Sequence, residues 1–141
     1  MLQSFYFLLL ISTSSVFAAT PMLEKYKSSG YMSPVRLIQD CDILSNGDAS
    51  IAVNRNGETS GYTKRVNRST MLYIEALLEV AARGKIEEEA VGCDTGNIIV
   101  RGSLRGKKIV IDEATDCLSH WVNKSRGTGE LKRLAKRICG F

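Results

Sequence analysis

The stretch from Asn97 to Ile111, "NIIVRGSLRGKKIVI", places two β-branched apolar triplets on either side of a basic, glycine-containing segment. Such triplets are typical of two strands that form a hairpin, although a lone pair of strands is stable only when helices cover it. The alternative is an extended loop whose second triplet leads into a helix. The stretch therefore leaves two structures open, and the rest of the chain determines what packs against it.

Helical patterns dominate the remainder of the sequence. Apolar residues recur at three- and four-residue spacing over 34–44, 61–83 and 128–139. A further helix is predicted over 112–124, because an aspartate can cap its start and a glutamate follows in its first turn. We therefore predict a mainly α, disulfide-stapled domain of about four helices, with a short β-hairpin near 98–111 as an option.

The first 18 residues have the layout of a signal peptide. An apolar run from Phe5 to Ile11 is followed by a polar stretch and by small residues that suit a cut after Ala18. A run of about seven residues is too short to cross a hydrocarbon core, which needs roughly 20, so no stable membrane anchor is expected. We predict a signal peptide over 1–18, a flexible leader over 19–32, and one domain over 33–141, exported to the periplasm.

The chain has four cysteines, Cys41, Cys93, Cys117 and Cys139. An even number of cysteines in an exported chain predicts two disulfides, because the compartments outside the cytoplasm oxidise thiols. Three pairings are possible, and the spacing does not select one. No C-x-x-C motif is present, so the sequence lacks the signature of a redox centre or a zinc ribbon.

The stretch "EATDCLSHWVNK", Glu113 to Lys124, contains the only histidine and the only tryptophan of the chain. A Cys-His nucleophilic pair would need an unbridged Cys117, whereas an oxidising compartment favours a bridged one. The preferred interpretation is a disulfide packed against Trp121, with His120 at its rim. We predict no enzyme, no catalytic residue, no metal site and no cofactor.

The charge is mildly basic, with 19 Lys and Arg against 15 Asp and Glu and a net charge of +4. The basic residues alternate with acidic ones and form no run longer than Lys107-Lys108. This pattern is typical of solvated helix faces, and it argues against a nucleic-acid partner. Two glycosylation sequons, at Asn67 and Asn123, are interpreted as chance matches.

A particular order of elements runs along the chain: a cysteine, a long apolar helix that begins with Gly-Tyr, a second cysteine, a β-branched run before a helix that ends in Trp-Val, and a final helix that closes on a cysteine. These features are Cys41, Gly61-Tyr62, Cys93, Ile109 to Ile111, Trp121-Val122 and "LKRLAKRICGF" at 131–141. The order resembles that of the periplasmic immunity proteins that protect bacteria against type VI secreted cell-wall amidases. The resemblance covers roughly 34–141.

The resemblance implies a mostly helical, disulfide-bonded domain, often self-associating, that blocks a toxin by inserting a surface loop into its active site. It carries over no catalytic residue, and it makes a homodimer one of the expected partners. In this chain the segment "RGSLRGKK", 101–108, would serve as the loop. Leu104 would be an apolar anchor between Arg101 and Arg105, with Ser103 beside it, as at interface hot spots. The alternative is a solvated connection.

The function predicted from the sequence is therefore that of an exported binding protein that neutralises a cognate toxin or hydrolase. Three alternatives remain open: an inhibitor of a host hydrolase, an acid-stress chaperone, and an accessory subunit of an envelope machine. A basic inhibitor is poorly matched to a basic hydrolase such as lysozyme. A single histidine offers little for a switch driven by acid, although carboxylates can also trigger one.

Overall fold

The computed structural model describes residues 19–141, so the predicted signal peptide over 1–18 lies outside the described residues. Eight antiparallel strands form one sheet, and two helices pack on it. The prediction of a mainly α domain is wrong, and so is the mostly helical fold that the family resemblance implies. The elements are β1 (Pro21–Ser28), β2 (Leu37–Leu44), β3 (Asp48–Arg55), β4 (Glu58–Arg65), α1 (Arg68–Ala81), β5 (Ile86–Glu88), β6 (Ile98–Leu104), β7 (Lys107–Thr115), β8 (Ser119–Asn123) and α2 (Thr128–Cys139).

The strand order across the sheet is β4-β3-β2-β1-β6-β7-β8-β5. Strands β1 to β4 follow one another outward as a meander, and β6 to β8 extend the sheet in the other direction. Strand β1 lies between β2 and β6, in the middle of the sheet. The predicted flexible leader over 19–32 therefore contains a central strand.

The ambiguous stretch over 98–111 forms a hairpin. Strands β6 and β7 pair along their length and are joined by Arg105-Gly106, which have φ angles of 50° and 76°. Strands β3 and β4 are joined in the same way by Asn56-Gly57, with φ angles of 54° and 94°. Two positive φ angles in a two-residue loop define the turn whose twist matches that of the flanking strands, and glycine suits its second position.

Two of the predicted helices are strands. Residues 34–44 contain β2, in which Cys41 and Ile43 face the core while Asp40 and Asp42 lie on the opposite face. This alternation has the period of a strand. Residues 112–124 form the end of β7, a turn and β8. The φ of 58° at Cys117 in that turn is incompatible with a right-handed helix.

The other two predicted helices are found in part or in full. Residues 61–83 divide into the end of β4 and helix α1, whose start is capped by Asn67, since its side-chain oxygen accepts from the Thr70 amide at 2.8 Å. The helix predicted over 128–139 is confirmed as α2. Its apolar residues at three- and four-residue spacing are all buried: Leu131, Leu134, Ala135 and Ile138.

The core lies between the two helices and one face of the sheet. Helix α1 packs on β6 and β7, helix α2 on β1, β3 and β7, and the two helices on each other. Gly102 on β6 allows this approach, because a Cβ there would lie 2.1 Å from the Leu78 side chain on α1. None of the helices described over 19–141 is long and apolar enough to span a membrane. The largest fully buried side chains are Leu23, Cys41, Ile43, Ile51, Ile74, Leu78, Ile111, Leu131, Leu134 and Cys139.

Candidate functional site

Two disulfides are formed, as the sequence predicts, and they are nested along the chain. The first joins Cys41 on β2 to Cys139 at the end of α2, and both residues are at most 2% exposed. The second joins Cys93, before β6, to Cys117, in the turn between β7 and β8. Two disulfides fit an exported protein in an oxidising compartment.

One end of the sheet gathers three irregular segments, which we call the loop end: residues 29–36, 89–97 and 116–118. Strands β1 and β7 finish here, and β2, β6 and β8 begin here, because neighbouring strands run antiparallel. The second disulfide links two of these segments.

The three segments of the loop end are in close contact. The amide of Met32 donates to the Asp94 carboxylate at 2.7 Å, and a Cβ on Gly30 would lie 2.4 Å from the Asp94 main-chain oxygen. The amide of Cys117 donates to the Gly92 carbonyl at 3.1 Å. The loop between β1 and β2 therefore rests on the disulfide-linked segments.

The β1–β2 loop is also fixed at both of its ends. The Ser29 amide donates to the Leu37 carbonyl at 2.8 Å, and the Leu37 amide donates to the Ser29 hydroxyl at 3.0 Å. Arg36 and Asn56 exchange two hydrogen bonds that tie the loop to the neighbouring β3–β4 turn. A loop with this many internal bonds retains little conformational freedom.

The loop end carries the three most exposed large hydrophobic side chains of residues 19–141. Tyr31 is 95% exposed, Leu118 79% and Met32 74%. Scattered apolar side chains are common on protein surfaces, whereas their concentration on neighbouring loops is typical of binding surfaces. The loop end is therefore the candidate site.

Two recesses lie on the helix-free face of the sheet beside these loops. The first, of about 540 Å³, is lined by residues of the β1–β2 loop, including Tyr31 and Arg36, and by Tyr26 on β1. The second, of about 360 Å³, shares Tyr26 and is lined by Asp42 and other charged side chains. Burial raises the pKa of the Asp42 carboxyl, and the charges of Asp40 and Glu24 raise it further.

The structure places the four residues predicted to bind a partner on β6 and in the β6–β7 turn. Arg101 donates to the Glu113 carboxylate, with Nε 2.9 Å from Oε2, and this carboxylate raises the pKa of the guanidinium. Leu104 packs against the core instead of projecting, and Ser103 is half-buried. Arg105 contacts Glu79 on α1 at 3.0 Å, in the turn at the opposite end of the sheet from the loop end.

The Cys-His pair considered in the sequence is not formed. Cys117 is disulfide-bonded, and His120 Nε2 lies 2.8 Å from Asp112 Oδ1. Glu89 approaches the other ring nitrogen at 3.8 Å, while Lys132 forms an ion pair with Asp112. The imidazole therefore belongs to a charged network between β8, β7 and α2. The helix predicted to carry Cys117 and Trp121 is wrong, since Trp121 lies on β8 and is paired with Glu113 of β7.

The structure bears on the metal-binding pattern and on the Asn123 glycosylation sequon. No group of three or more His, Cys, Asp and Glu side chains in this range is arranged to hold a metal ion. Asn123 is 2% exposed, and its amide nitrogen donates to the Ala81 and Val110 carbonyls at 2.8 and 3.1 Å. This asparagine connects α1 and β7 inside the core.

The loop end is not predicted from the sequence, because 19–32 has the composition of a leader and 34–44 has the apolar spacing of a helix. An available signal was the run "SSGYMSP" at 28–34, in which two large apolar residues stand between turn-forming ones. Comparison with protein-family models, curated proteins and solved structures finds no match to this chain.

Proposed function

We propose that this protein is exported to the periplasm, where it binds and neutralises a toxin or hydrolase by placing its loop end in the active site of that partner. The observation that carries the proposal is the exposure of Tyr31 and Met32, at 95% and 74%, on a loop held by the disulfide-linked segments. In this proposal the β1–β2 loop replaces the 101–108 segment as the inserted element.

Rigid support makes this apolar pair suitable for binding. Association costs free energy for every side chain and loop that must be ordered, and a loop that is already fixed avoids much of this cost. A tyrosine supplies a large contact area with few rotatable bonds, and methionine adapts its shape to the opposing surface. The matching partner surface is a cleft with apolar walls, into which Tyr31 and Met32 insert together.

The resemblance to immunity proteins supplies the partner class, a type VI secreted cell-wall amidase. Because the helical fold implied by that resemblance is wrong, the proposal of a toxin as the partner is supported by the two disulfides and by the β1–β2 loop that rests on the disulfide-linked segments. A cell-wall amidase acts in the compartment where such disulfides form, and its substrate cleft is a concave surface of the required kind.

The test measures inhibition of a type VI secreted cell-wall amidase that hydrolyses purified peptidoglycan. The wild-type protein is expected to abolish hydrolysis at a one-to-one ratio. The double variant Tyr31→Ala, Met32→Ser should weaken inhibition by about 1,000-fold, since two hot-spot residues that contribute about 2 kcal/mol each give about 4 kcal/mol together.

The matched control is Leu72→Ser, Tyr73→Ala on helix α1, where the two side chains are 56% and 48% exposed. Equal inhibition by the Tyr31→Ala, Met32→Ser variant and by this control would overturn the proposed binding surface. Arg105→Ala tests the segment favoured by the sequence, and a loss of inhibition confined to that variant would restore it. Inhibition of lysozyme but not of the amidase would assign the protein to the host-hydrolase inhibitors.

A further inference from the structure

The two edges of the sheet described over 19–141 differ in how they are protected. Edge strand β5 has 3 residues, with Lys85 before it and Glu87 and Glu88 within it. Short length and charge are the usual protection of an edge against pairing with another chain. Edge strand β4 has 8 residues, is exposed along almost all of its length, and pairs with β3 without a bulge. Its five central residues, 59–63, carry no charge.

The hydrogen-bonding direction of β4 follows from its continuation. The Val66 amide donates to the Gly47 carbonyl at 2.8 Å, on the side of β3. Because backbone groups alternate in direction along a strand, the amides and carbonyls of the even-numbered residues of β4 point towards β3. The amides and carbonyls of Thr59, Gly61, Thr63 and Arg65 therefore point away from the sheet.

We propose that β4 pairs antiparallel with β4 of a second copy of this chain, which joins two sheets into one. A two-fold axis perpendicular to the sheet keeps the helices of both copies on the same side. Residues directly opposite each other then have their side chains on the same face, so an odd-numbered residue of one copy must pair with an odd-numbered residue of the other. Centring the axis on Gly61 makes the outward-pointing groups hydrogen-bond to each other, with Gly61 opposite Gly61 and Thr59 opposite Thr63 of the second copy.

The same register is complementary in charge. It places Glu58 opposite Lys64 of the second copy, and the symmetry repeats this pair on the other side of the axis. Opposite charges and paired threonines on facing strands each stabilise the association of two strands, whereas like charges oppose it. Glycine at the centre leaves no pair of opposed side chains to crowd each other at the two-fold axis. These features fit a second copy of β4 better than an arbitrary strand.

The dimer leaves the loop end free. The β1–β2 loop lies next to the β3–β4 turn, at the Glu58 end of β4. In an antiparallel pair these ends lie far apart, one at each end of the joined sheet. A single strand pair buries a small area, so association is expected in the micromolar range, at the weak end of specific interfaces. Dimerisation is therefore independent of the proposed inhibitory function.

The test is sedimentation velocity of the full mature chain from about 5 to about 500 µM, where the wild type should shift from monomer to dimer. Glu58→Lys brings two lysines together on each side of the axis and should raise the dissociation constant of the dimer about tenfold. Combining it with Lys64→Glu restores opposite charges and should return dimerisation to the wild-type level. Lys107→Glu, at the opposite end of the sheet from Glu58, is the control for net charge.

Thr63→Pro is a second, independent variant. It removes an outward amide without removing a hydrogen bond to β3, so it should abolish the dimer while the thermal unfolding transition remains cooperative. A wild-type chain that stays monomeric over the whole range overturns the proposal. So does a dimer that persists in both Glu58→Lys and Thr63→Pro, because it must use another surface. Inhibition assays on Thr63→Pro report the inhibitory function separately, since a monomer retains its loop end.

Discussion

The two disulfides lie in contrasting parts of the molecule. Cys41–Cys139 is buried and ties a central strand to the last helix, across 98 residues of chain. Cys93–Cys117 spans 24 residues and joins two exposed segments under the β1–β2 loop. The first closes the core, and the second supports the surface that we propose to bind a partner. The comparison separates what keeps this domain folded from what shapes its site.

The largest effect is expected from the double variant Cys41→Ala, Cys139→Ala. Releasing a loop of 98 residues increases the conformational freedom of the unfolded chain. In the chain-entropy account this lowers the free energy of unfolding by about 5 kcal/mol. The free energy of unfolding, measured by urea denaturation, should fall by about this amount. Inhibition by the molecules that remain folded should be unchanged. A decrease below about 1 kcal/mol would show that the core does not depend on this bridge.

A smaller loss of stability but a larger loss of affinity is expected from Cys93→Ser, Cys117→Ser. The loop of 24 residues corresponds to about 3.5 kcal/mol in the same account. Without the bridge the segment around Asp94 loosens, and the β1–β2 loop must be ordered on binding, so we expect inhibition at least about tenfold weaker. Urea denaturation and the peptidoglycan assay measure the two quantities. Unchanged inhibition would separate the loop from its proposed support.

The smallest effect is expected from Asp42→Asn on the helix-free face, next to the core bridge in sequence. Because the pKa of Asp42 is raised in the folded state, the folded protein holds this proton more tightly than the unfolded chain. Its stabilising contribution is complete below the unfolded pKa of about 3.9, and it is lost as pH rises through the raised folded value.

Replacing Asp42 by asparagine should therefore raise the melting temperature at pH 7 and leave it unchanged at pH 3. The gain should remain below about 1 kcal/mol, as is usual for partly exposed charges. Ser50→Ala, at the residue paired with Asp42 on β3, is the control for a change on the same face. An equal gain at both pH values would assign the effect to packing instead of charge.

The predictability of the fold differs between elements for identifiable reasons. Helix α2 could be predicted because its apolar residues repeat only at helical spacing. Strand β2 could not, because its first two residues, Leu37 and Ile38, are both apolar although they point to opposite faces, and the run then mimics a helical stripe. Strand β1 could not be predicted because a contact distant along the chain covers its Lys25, which is only 8% exposed: the ammonium group donates to the main-chain oxygen of Phe141 and lies 5.0 Å from the ring of Phe141.

The candidate site was less predictable than the fold. The two disulfides followed from the cysteine count and the predicted export, but their pairing depends on the topology of the sheet. The loop that carries Tyr31 and Met32 is held by a hydrogen bond to Asp94, more than sixty residues away along the chain. Leu104 was proposed as an exposed anchor because glycine and arginine surround it, yet pairing of β6 and β7 turns its side chain toward the core. Contacts of this range leave no local pattern.

The nested order of the disulfides has a consequence for biogenesis. A chain that enters an oxidising compartment from its amino end exposes Cys41 first, and the next thiol to arrive is Cys93, which is its partner in neither native bridge. An oxidant that couples thiols in order of arrival would trap the wrong pair, and thiol–disulfide exchange must then reshuffle it. Maturation of this protein should therefore depend on a disulfide isomerase as well as on an oxidase.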